Sequence, residues 1–452
     1  MRASDLGGRR VAIWGLGREG RAAIGYLRRF HPKLPLVLFD DALDPNLAEG
    51  IAEGFEGKIE LVLGKEAIAR AFSRIEVVVK SPGVSLYRPE IAFARDKGIE
   101  FTSLLNLWFA EPQSAQTICV TGTKGKSTTA SLLAHLLRQE GRKVALAGNI
   151  GRPVTLIEAE AAEVVVIEVS SYQAADFTGT CDLALLTALF PEHLDWHGSV
   201  ETYFRDKLRL LERARRTILP ASALGKALRL IPGFAGLSLP FDEKGGLHAR
   251  EGEIFDGDSR IGAIANPYLR RRHNASNLCA ALSVLKLLGS DLARALDASR
   301  SFAGLPHRQA ELGFVGGVLA VDDSISTTPE SALAALETYA GREVTLILGG
   351  QDRGIDYGKL VEALCEGRAT RVFCLGKAGE RIFAEASRAP RGEKSALLLK
   401  ASSMEEAVKG ALARTPKRGV ILLSPAAPSY GHYRDFIERG RDFAARIGLP
   451  QK

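Results

Sequence analysis

Cysteine is scarce in this 452-residue sequence, and long apolar runs are missing. The cysteines are odd in number, five, and include no Cys-x-x-Cys pair, which argues against a zinc ribbon or a disulfide framework and indicates reduced thiols. No apolar run approaches the roughly 20 residues of a membrane-spanning helix, and the segment from Met1 to Gly8 lacks the apolar stretch of a secretory signal. We therefore expect a cytoplasmic protein with no membrane partner.

Signatures of nucleic-acid binding and of repeat architectures are also missing. The net charge is +7, but apart from Arg270 to Arg272 the basic residues are dispersed and no RNA or DNA motif accompanies them. An anionic small-molecule substrate accounts for this charge without a nucleic-acid partner. No sequence period of 20 to 50 residues suggests a solenoid. The length, with 46% hydrophobic and 25% charged residues, is typical of about three globular domains.

A phosphate-binding loop is the most informative motif present. Thr121 to Thr128 read Thr-Gly-Thr-Lys-Gly-Lys-Ser-Thr between an apolar run and a helical pattern. Such a loop presents backbone N–H groups and a helix N-terminus to phosphate, and a plain glycine-rich turn is disfavoured by this strand and helix context. The loop is shorter than the general form, because Val120 stands where the first glycine is expected. The predicted ATP contacts are Gly122, Thr123, Lys124, Gly125, Lys126, Ser127 and Thr128.

A second glycine turn near the start suggests a competing function. Gly15 to Gly20 read Gly-Leu-Gly-Arg-Glu-Gly after a predicted strand from Arg10 to Trp14, and Asp40 ends the next strand. This pattern is typical of a Rossmann-like dinucleotide site, in which the acidic residue binds a ribose. From this segment alone, the function of an NAD-dependent dehydrogenase remains an alternative.

Polar residues at predicted strand ends place further groups near the loop. Glu168 follows the apolar run Val164 to Ile167, and His193 follows Leu183 to Leu189. Because ligands bind at the carboxyl ends of parallel strands, both side chains are expected to meet a metal ion held by Ser127.

Strands and helices alternate again after Gly304 and Pro306, which mark a linker. Predicted strand ends carry Asp323, the glycine pair before Gln351, and Ser424. The sequence therefore predicts an α/β protein of three domains.

The ordered motifs together resemble the Mur ligases, and within that family the branch that adds glutamate to UDP-N-acetylmuramoyl-L-alanine. The motifs are the phosphate loop, Gly148 to Gly151, Glu168 to Gln173, Glu192 to Asp195, His273 to Asn277, Gly304 to Arg308, and Asp323-Ser324. The resemblance implies an N-terminal Rossmann-like UDP-binding domain (1–104), a central P-loop ATPase domain with a mostly parallel sheet (105–303) and a C-terminal Rossmann-like amino-acid-binding domain (304–452). It assigns the first glycine turn to UDP, and so disfavours NAD.

The resemblance also implies the chemistry. ATP would convert the alanyl carboxylate into an acyl phosphate, which the amine of glutamate would attack, in cytoplasmic peptidoglycan precursor synthesis. Two Mg²⁺ ions would assist, and Lys207 would carry a CO₂-derived carbamate as a metal ligand. The implied catalytic residues are Lys126, Lys207, His193 and Arg308; the implied metal ligands are Ser127, Thr128, Glu168, His193 and carbamylated Lys207.

The remaining contacts follow residue by residue from the resemblance. Further ATP contacts are Asn277, Arg308 and Asp323. The UDP substrate would contact Gly17, Arg18, Asp40, Ser81, Gly83, Asn149, Ser170 and Gln173. Glutamate would contact Thr327, Arg353, Ser429, Tyr430 and Phe436.

The amino-acid pocket departs from the pattern of ligases that use D-glutamate. Ile325 stands where those enzymes carry a lysine, and Pro428 and Gly431 replace the usual alanine and aspartate. These changes resemble a variant branch that adds L-glutamate and relies on a separate epimerase; the alternative is the same ligation with D-glutamate.

We expect a monomer. A nucleotide-driven switch stays open, and so does a folate-type polyglutamate ligase, which the dedicated UDP domain disfavours.

Overall fold

The computed structural model describes residues 1–157, 161–231, 238–390 and 392–449. It divides into two compact units, Met1–Ala303 and Gly304–Lys452. The α/β fold class is confirmed, whereas the three predicted domain boundaries stay predictions.

The first sheet is entirely parallel, in the order β3-β2-β1-β4-β5. Helix α1 begins at Arg18, because the glycine turn leads directly into it. The elements in chain order are β1 (Val11–Trp14), α1 (Arg18–Phe30), β2 (Leu36–Asp40), α2 (Pro45–Glu53), β3 (Ile59–Leu63), α3 (Lys65–Ala71), β4 (Val77–Lys80), α4 (Pro89–Asp96) and β5 (Glu100–Thr102).

The second sheet is also parallel, in the order β11-β10-β9-β6-β8-β7. Its elements are α5 (Leu104–Ala110), β6 (Gln116–Thr121), α6 (Lys126–Gln139), β7 (Val144–Gly148), β8 (Val164–Glu168), α7 (Ser171–Ala175), β9 (Cys181–Leu186), α8 (Leu194–His197), α9 (Val200–Glu212), β10 (Ala214–Pro220), α10 (Ala221–Leu230) and β11 (Ser238–Phe241). A small antiparallel sheet follows, which the sequence pattern did not predict; its strands are β12 (Leu247–Arg250), β13 (Glu253–Asp256) and β14 (Ser259–Ala263). Three helices come after it: α11 (Pro267–Arg270), α12 (Arg272–Leu287) and α13 (Leu292–Ala298).

Strand β9 ends three residues earlier than predicted. The Thr187 hydroxyl donates to Lys124 O at 2.6 Å, and the Thr187 backbone N–H donates to Thr121 O at 2.9 Å. These bonds turn the chain against the phosphate loop at Thr187, so that the following segment leaves the sheet.

The sheet of the second unit has the order β15-β16-β20-β17-β18-β19, with β15 antiparallel to its neighbour. The elements are β15 (Ala310–Val315), β16 (Val318–Asp322), α14 (Pro329–Thr338), β17 (Val344–Gly349), α15 (Gly358–Cys365), β18 (Arg371–Leu375), α16 (Gly376–Arg388), β19 (Leu397–Lys400), α17 (Met404–Arg414), β20 (Val420–Leu423) and α18 (Phe436–Arg446).

Helices cover both faces of the second sheet, so its central strands are continuously apolar. Helices α6 and α12 supply one hydrophobic cluster, and α5, α7, α9 and α10 contribute to the other. Sheets buried on both faces bind ligands at the carboxyl ends of their strands. Along the described ranges, no helix is long and apolar enough to cross a membrane.

Candidate active site

The phosphate loop is held in shape by contacts that only glycine permits. A Cβ on Gly122 would lie 2.0 Å from the Thr187 hydroxyl oxygen, and one on Gly125 would lie 2.3 Å from the side-chain oxygen of Asn277. Asn277 on α12 therefore lies against the loop, near its predicted ATP site. Lys126 Nζ donates to the carbonyls of Gly122 and Thr123 at 2.9 and 3.0 Å. The lysine thus lies over the loop that would receive phosphate.

Two predicted ATP contacts have protein partners at their side chains. Thr123 Oγ1 donates to Phe190 O at 2.9 Å and lies 2.8 Å from the Tyr203 hydroxyl. Lys124 forms an ion pair with Glu192, with its side chain largely exposed. These bonds hold the loop against Phe190, Glu192 and Tyr203. Direct ATP contacts through the two side chains stay predictions.

Glu168 is a buried carboxylate with one open oxygen. The residue is 1% exposed at the end of β8. Asn149 Nδ2 donates to its Oε1 at 3.0 Å, whereas Oε2 is buried and has no hydrogen-bond partner among the residues that the structure describes. An unpaired buried oxygen of this kind is costly unless a cation or donor satisfies it. Glu168 therefore fits a metal ligand.

His193 lies at the start of α8, seven residues beyond β9, and not at the strand end as predicted. Its backbone is left-handed, with φ of 55°. Burial lowers the pKa of His193, as do the ammonium groups of Lys126, Lys207 and Lys124, while Glu192 opposes the shift. A neutral imidazole is the form that ligates metal ions.

Lys207 is a buried lysine on α9. It is 1% exposed, and its Nζ donates to Gly122 O at 2.9 Å, the same carbonyl that Lys126 contacts. Burial and the neighbouring Lys126 charge lower the pKa of Lys207 well below its ordinary value, although Glu192 and Glu168 act in the opposite direction. Burial therefore favours the neutral, nucleophilic form of this amine.

These residues fit a hard divalent cation. Ser127 and Thr128 occupy the first turn of α6, half-buried and buried respectively. Over the part of the chain that the structure describes, no group of three His, Cys, Asp or Glu side chains could hold a metal. The predicted ligand set draws instead on hydroxyls, one carboxylate, one imidazole and a modified lysine, so such a group is not required.

Arg18 links the first glycine turn to the second sheet. Its guanidinium donates to Gly148 O at 3.1 Å and to Asn149 O at 3.0 Å. The predicted UDP contacts Arg18 and Asn149 are therefore brought together. Asn149 in turn contacts Glu168.

Several other predicted UDP contacts stabilise backbone turns. Asp40 accepts from the N–H groups of Leu16, Leu43 and Ala42 at 2.9, 3.0 and 3.2 Å. Ser81 Oγ donates to Gly15 O at 2.7 Å. Gly17 caps α1, and Gly83 lies in the turn after β4. Their contacts with UDP stay predictions.

Ser170 and Gln173 form a capping box at α7. Ser170 Oγ accepts from Gln173 N at 3.2 Å, and Gln173 Oε1 accepts from Ser170 N at 3.0 Å. This pairing explains both residues structurally, and their UDP contacts likewise stay predictions.

Asp323 and Arg308 lie near each other in the second unit. Asp323 accepts from Ser424 Oγ at 2.7 Å and from Gln309 N at 3.1 Å. Burial raises the pKa of Asp323 to about 7, partly offset by these bonds and by the charge of Arg308. Arg308 Nε is buried, and no described residue accepts a hydrogen bond from it, which suits a group that binds an anion.

The predicted glutamate contacts are spread around the carboxyl ends of β16, β17 and β20. Ser429 lines a cavity of about 260 Å³ there, and the guanidinium of Arg353 lies 6.0 Å from the Tyr430 ring centroid. Phe436 begins α18, where its carbonyl accepts from Ser324 Oγ at 2.8 Å. Thr327 lies in the loop between β16 and α14, and neither it nor Arg353, Tyr430 or Phe436 is among the residues that line this cavity.

Arg439 is a cavity residue that sequence reasoning missed. It is 3% exposed, and it donates to Ser324 O at 2.7 Å and to Ala427 O at 3.0 Å. Burial lowers its pKa to about 10. One arginine on an amphipathic helix gives no sequence signal that distinguishes it from its exposed neighbours.

Family models match most of the chain. Residues 9–103 match the Mur ligase MurD-like N-terminal domain, residues 120–224 the Mur ligase middle domain, and residues 307–427 the Mur ligase glutamate ligase domain.

Curated relatives and solved structures agree with these matches. Proteins named UDP-N-acetylmuramoyl-L-alanine--L-glutamate ligase from Xanthomonas axonopodis pv. citri and from a Micromonospora species are each 41% identical, over 99% of this chain and 97% and 98% of their own lengths. The fold is similar to UDP-N-acetylmuramate-alanine ligase MurC from Thermotoga maritima (TM-score 0.59, 19% identity, 97% of this chain and 99% of that one) and to MurF ligase from the same organism in complex with ADP (0.56, 19%, 98% and 99%). The chain therefore belongs to the Mur ligase family.

Proposed function

We propose that this chain is the ATP-dependent ligase that joins L-glutamate to UDP-N-acetylmuramoyl-L-alanine, in the cytoplasmic synthesis of peptidoglycan precursors. The observation that carries the proposal is the convergence of Lys126 and Lys207 on Gly122 O, in the loop after β6. The neighbouring strand β8 ends with the open carboxylate of Glu168. The names of the full-length relatives support the substrates and the L-isomer.

The reaction proceeds by activation of a carboxylate. An oxygen of the alanyl carboxylate attacks the γ-phosphorus of ATP, the bond to the β-phosphate oxygen breaks, and ADP leaves. The amine of glutamate then attacks the carbonyl carbon of the acyl phosphate; the C–N bond forms, phosphate departs and the amine loses a proton. Negative charge develops in both steps, and Lys126 and Arg308 are the cations suited to oppose it.

Magnesium would be held by Ser127 or Thr128, Glu168, His193 and Lys207, and when bound it would stabilise phosphate charge. Lys207 requires a covalent change to take part, because an ammonium offers no lone pair. Its amine attacks the carbon of CO₂, a proton is released, and the carbamate presents oxygens that Mg²⁺ prefers. The complete burial of Lys207 beside the loop supports this assignment.

The L-isomer is supported by residues in the second unit. Ile325 is half-buried and apolar where D-glutamate ligases carry a lysine, so a carboxylate bound there lacks a charge-assisted hydrogen bond. Arg353, Thr327, Ser429, Tyr430 and Phe436 would then hold the amino acid. A separate epimerase acts on the product in this proposal, and the enzyme acts as a monomer.

Phosphate release tests the reaction class. The full chain with Mg²⁺ and ATP is expected to release phosphate only when UDP-N-acetylmuramoyl-L-alanine and glutamate are both present. Lys126→Ala should reduce turnover at least about a hundredfold, because it removes a cation from the charge that develops in the transition state. Lys286→Ala, which removes an ion pair with Asp256 at the far end of α12, is the control and should retain turnover.

Two results would contradict the proposal. Phosphate release that needs neither small molecule would indicate a nucleotide-driven switch. Unchanged turnover in Lys126→Ala would overturn the ATPase assignment.

A further inference from the structure

The segment from Lys80 to Tyr87 connects the UDP domain to the helices that carry two predicted metal ligands. It begins at the end of β4 and contains Ser81 and Gly83, the predicted UDP contacts. Beyond them, Ser85 Oγ donates to Trp196 O at 2.9 Å on α8. Tyr87 packs its ring edge-on against Trp196, with centroids 5.9 Å apart, and its hydroxyl donates to Asp206 Oδ1 at 2.7 Å on α9.

A chain of buried hydrogen bonds continues from Asp206. Asp206 Oδ2 lies 2.6 Å from His197 Nδ1, and His197 Nε2 lies 3.1 Å from Ser171 Oγ. Asp206, His197 and Ser171 are 7%, 2% and 4% exposed. Asp206 immediately precedes Lys207, and Ser171 begins α7 three residues after Glu168. The chain of hydrogen bonds therefore joins α9, which carries Lys207, to α7, which begins three residues after Glu168.

The order Ser171–His197–Asp206 is that of a hydrolase triad, but its burial rules out that chemistry. A nucleophilic serine must meet a substrate carbonyl. Ser171 is almost completely enclosed, and within the described ranges its hydroxyl contacts His197 of this network. The network has a structural consequence instead.

We propose that Tyr87 is a positioning residue for Lys207, acting through Asp206. The proposal rests on the function proposed above, in which Lys207 carries the carbamate. Tyr87 supplies one of the two donors that this buried carboxylate accepts, and His197 supplies the other. Asp206 and Lys207 share one turn of α9 with Tyr203, whose hydroxyl contacts Thr123 of the phosphate loop at 2.8 Å. The segment that contains the predicted UDP contacts Ser81 and Gly83 thereby also fixes the lysine that would bind metal.

The physical argument is the cost of an unpaired buried carboxylate oxygen. Without the phenol O–H, Asp206 Oδ1 must find another donor or shift, and the α9 turn shifts with it. Lys207 has little freedom to compensate, because it is enclosed and bonded to Gly122 O. A displaced Lys207 carbamylates less readily at a given CO₂ concentration.

The test is Tyr87→Phe in the full chain. The ring and its contact with Trp196 remain, and the ion pair between Lys80 and Asp176, at 3.1 Å, still joins the same domains, so the variant should fold. NMR of protein in ¹³C-labelled bicarbonate measures the fraction of Lys207 carbamate. We expect Tyr87→Phe to need about tenfold more bicarbonate for half occupancy, the effect of one hydrogen bond to a charged group.

Kinetics supply a second readout. The kcat of Tyr87→Phe should be low at ambient CO₂ and recover in added bicarbonate, with the KM for the UDP substrate within about twofold of wild type. For the carbamate measurement alone, Tyr433→Phe is the matched control, since Tyr433 also donates to a carboxylate, Asp442, at 2.7 Å, but within the second unit, where it lines the cavity with Ser429. It should leave the carbamate unchanged.

The outcomes separate the two proposals. If wild type shows the carbamate and Tyr87→Phe shows the same bicarbonate dependence, the positioning role alone is overturned. An activity loss that bicarbonate does not rescue, with unchanged carbamate, overturns it equally. If wild type shows no carbamate at all, the assignment of Lys207 falls, and the role of Tyr87 falls with it.

Discussion

Two lysines converge on Gly122 O, and their surroundings give them different roles. Lys126 is half-buried at the start of α6, beside the loop, whereas Lys207 is enclosed. Burial penalises the charged form of Lys207, and the charge of Lys126 increases this effect. One lysine is thus suited to bind phosphate and the other to react as an amine.

The carboxyl group of Asp323, again a single residue, predicts a pH dependence of stability. Burial raises its pKa to about 7 from an ordinary value of 3.8. The folded state therefore binds this proton more tightly than the unfolded chain does. The stability that the group contributes is complete below about pH 4 and is lost as the pH rises through about 7.

The comparison is between wild type and Asp323→Asn, which cannot titrate. From pH 5 to 7.5, wild type should lose roughly 2–3 kcal/mol of local stability relative to the variant. Hydrogen-exchange protection of the β16 and β20 amides, corrected for intrinsic rates, measures this loss. Parallel pH profiles in the two proteins would show that Asp323 does not titrate in this range.

At the scale of elements, the first glycine turn depends on close approach of α1 to β1. A Cβ on Gly20 would lie 1.9 Å from Gly15 O, whereas one on Gly17 would meet nothing within 4 Å. The backbone carbonyl cannot rotate away without disturbing the turn. Gly20 is thus required for packing, while Gly17 is open toward solvent or ligand.

Gly20→Ala should lower the free energy of unfolding by about 1–3 kcal/mol or more, because the added methyl group overpacks the turn. Gly17→Ala adds the same methyl group in open space and should change stability by less than about 1 kcal/mol. Urea denaturation followed by tryptophan fluorescence, to which Trp14 at the end of β1 contributes together with Trp108 and Trp196, measures the change in stability. Equal stability losses would contradict the packing argument.

Contiguous motifs were the predictable part of the elements. The phosphate loop and the strands that flank it were predicted because backbone and side-chain chemistry lie within one short segment. The turn of β9 at Thr187, the antiparallel β12–β14 sheet and the network from Tyr87 to Ser171 were not predicted. Each depends on partners far apart in sequence, such as Tyr87 and Asp206, that only tertiary packing brings together.

Some residue roles came from resemblance and not from local pattern. Asn277 is one of them, and the structure places it against Gly125. His193 was expected at a strand end and instead begins α8, because the chain leaves the sheet at Thr187. The sequence around Arg439 gives no pattern that predicts its burial. The residue is buried at the cavity because α18 packs on β16.

At the scale of the whole molecule, the family is shown by matches that span both units. The first unit holds the nucleotide loop and the proposed metal ligands, and the second holds the proposed amino-acid contacts. The second unit also holds Arg308 and Asp323, two of the predicted ATP contacts. In the proposed function, Ile325 therefore bears on the choice of amino acid, whereas residues of both units serve the phosphate chemistry.

Product analysis with each glutamate enantiomer tests the central claim most directly. The full chain, with ATP, Mg²⁺ and UDP-N-acetylmuramoyl-L-alanine, is incubated with L-glutamate or with D-glutamate, and the products are resolved by mass and by the configuration of the released glutamate. We predict one new amide and one ADP per product with L-glutamate, and little or none with D-glutamate. An amide formed with D-glutamate and not with L-glutamate would contradict the stereochemical claim, and no amide with either would contradict the proposed function.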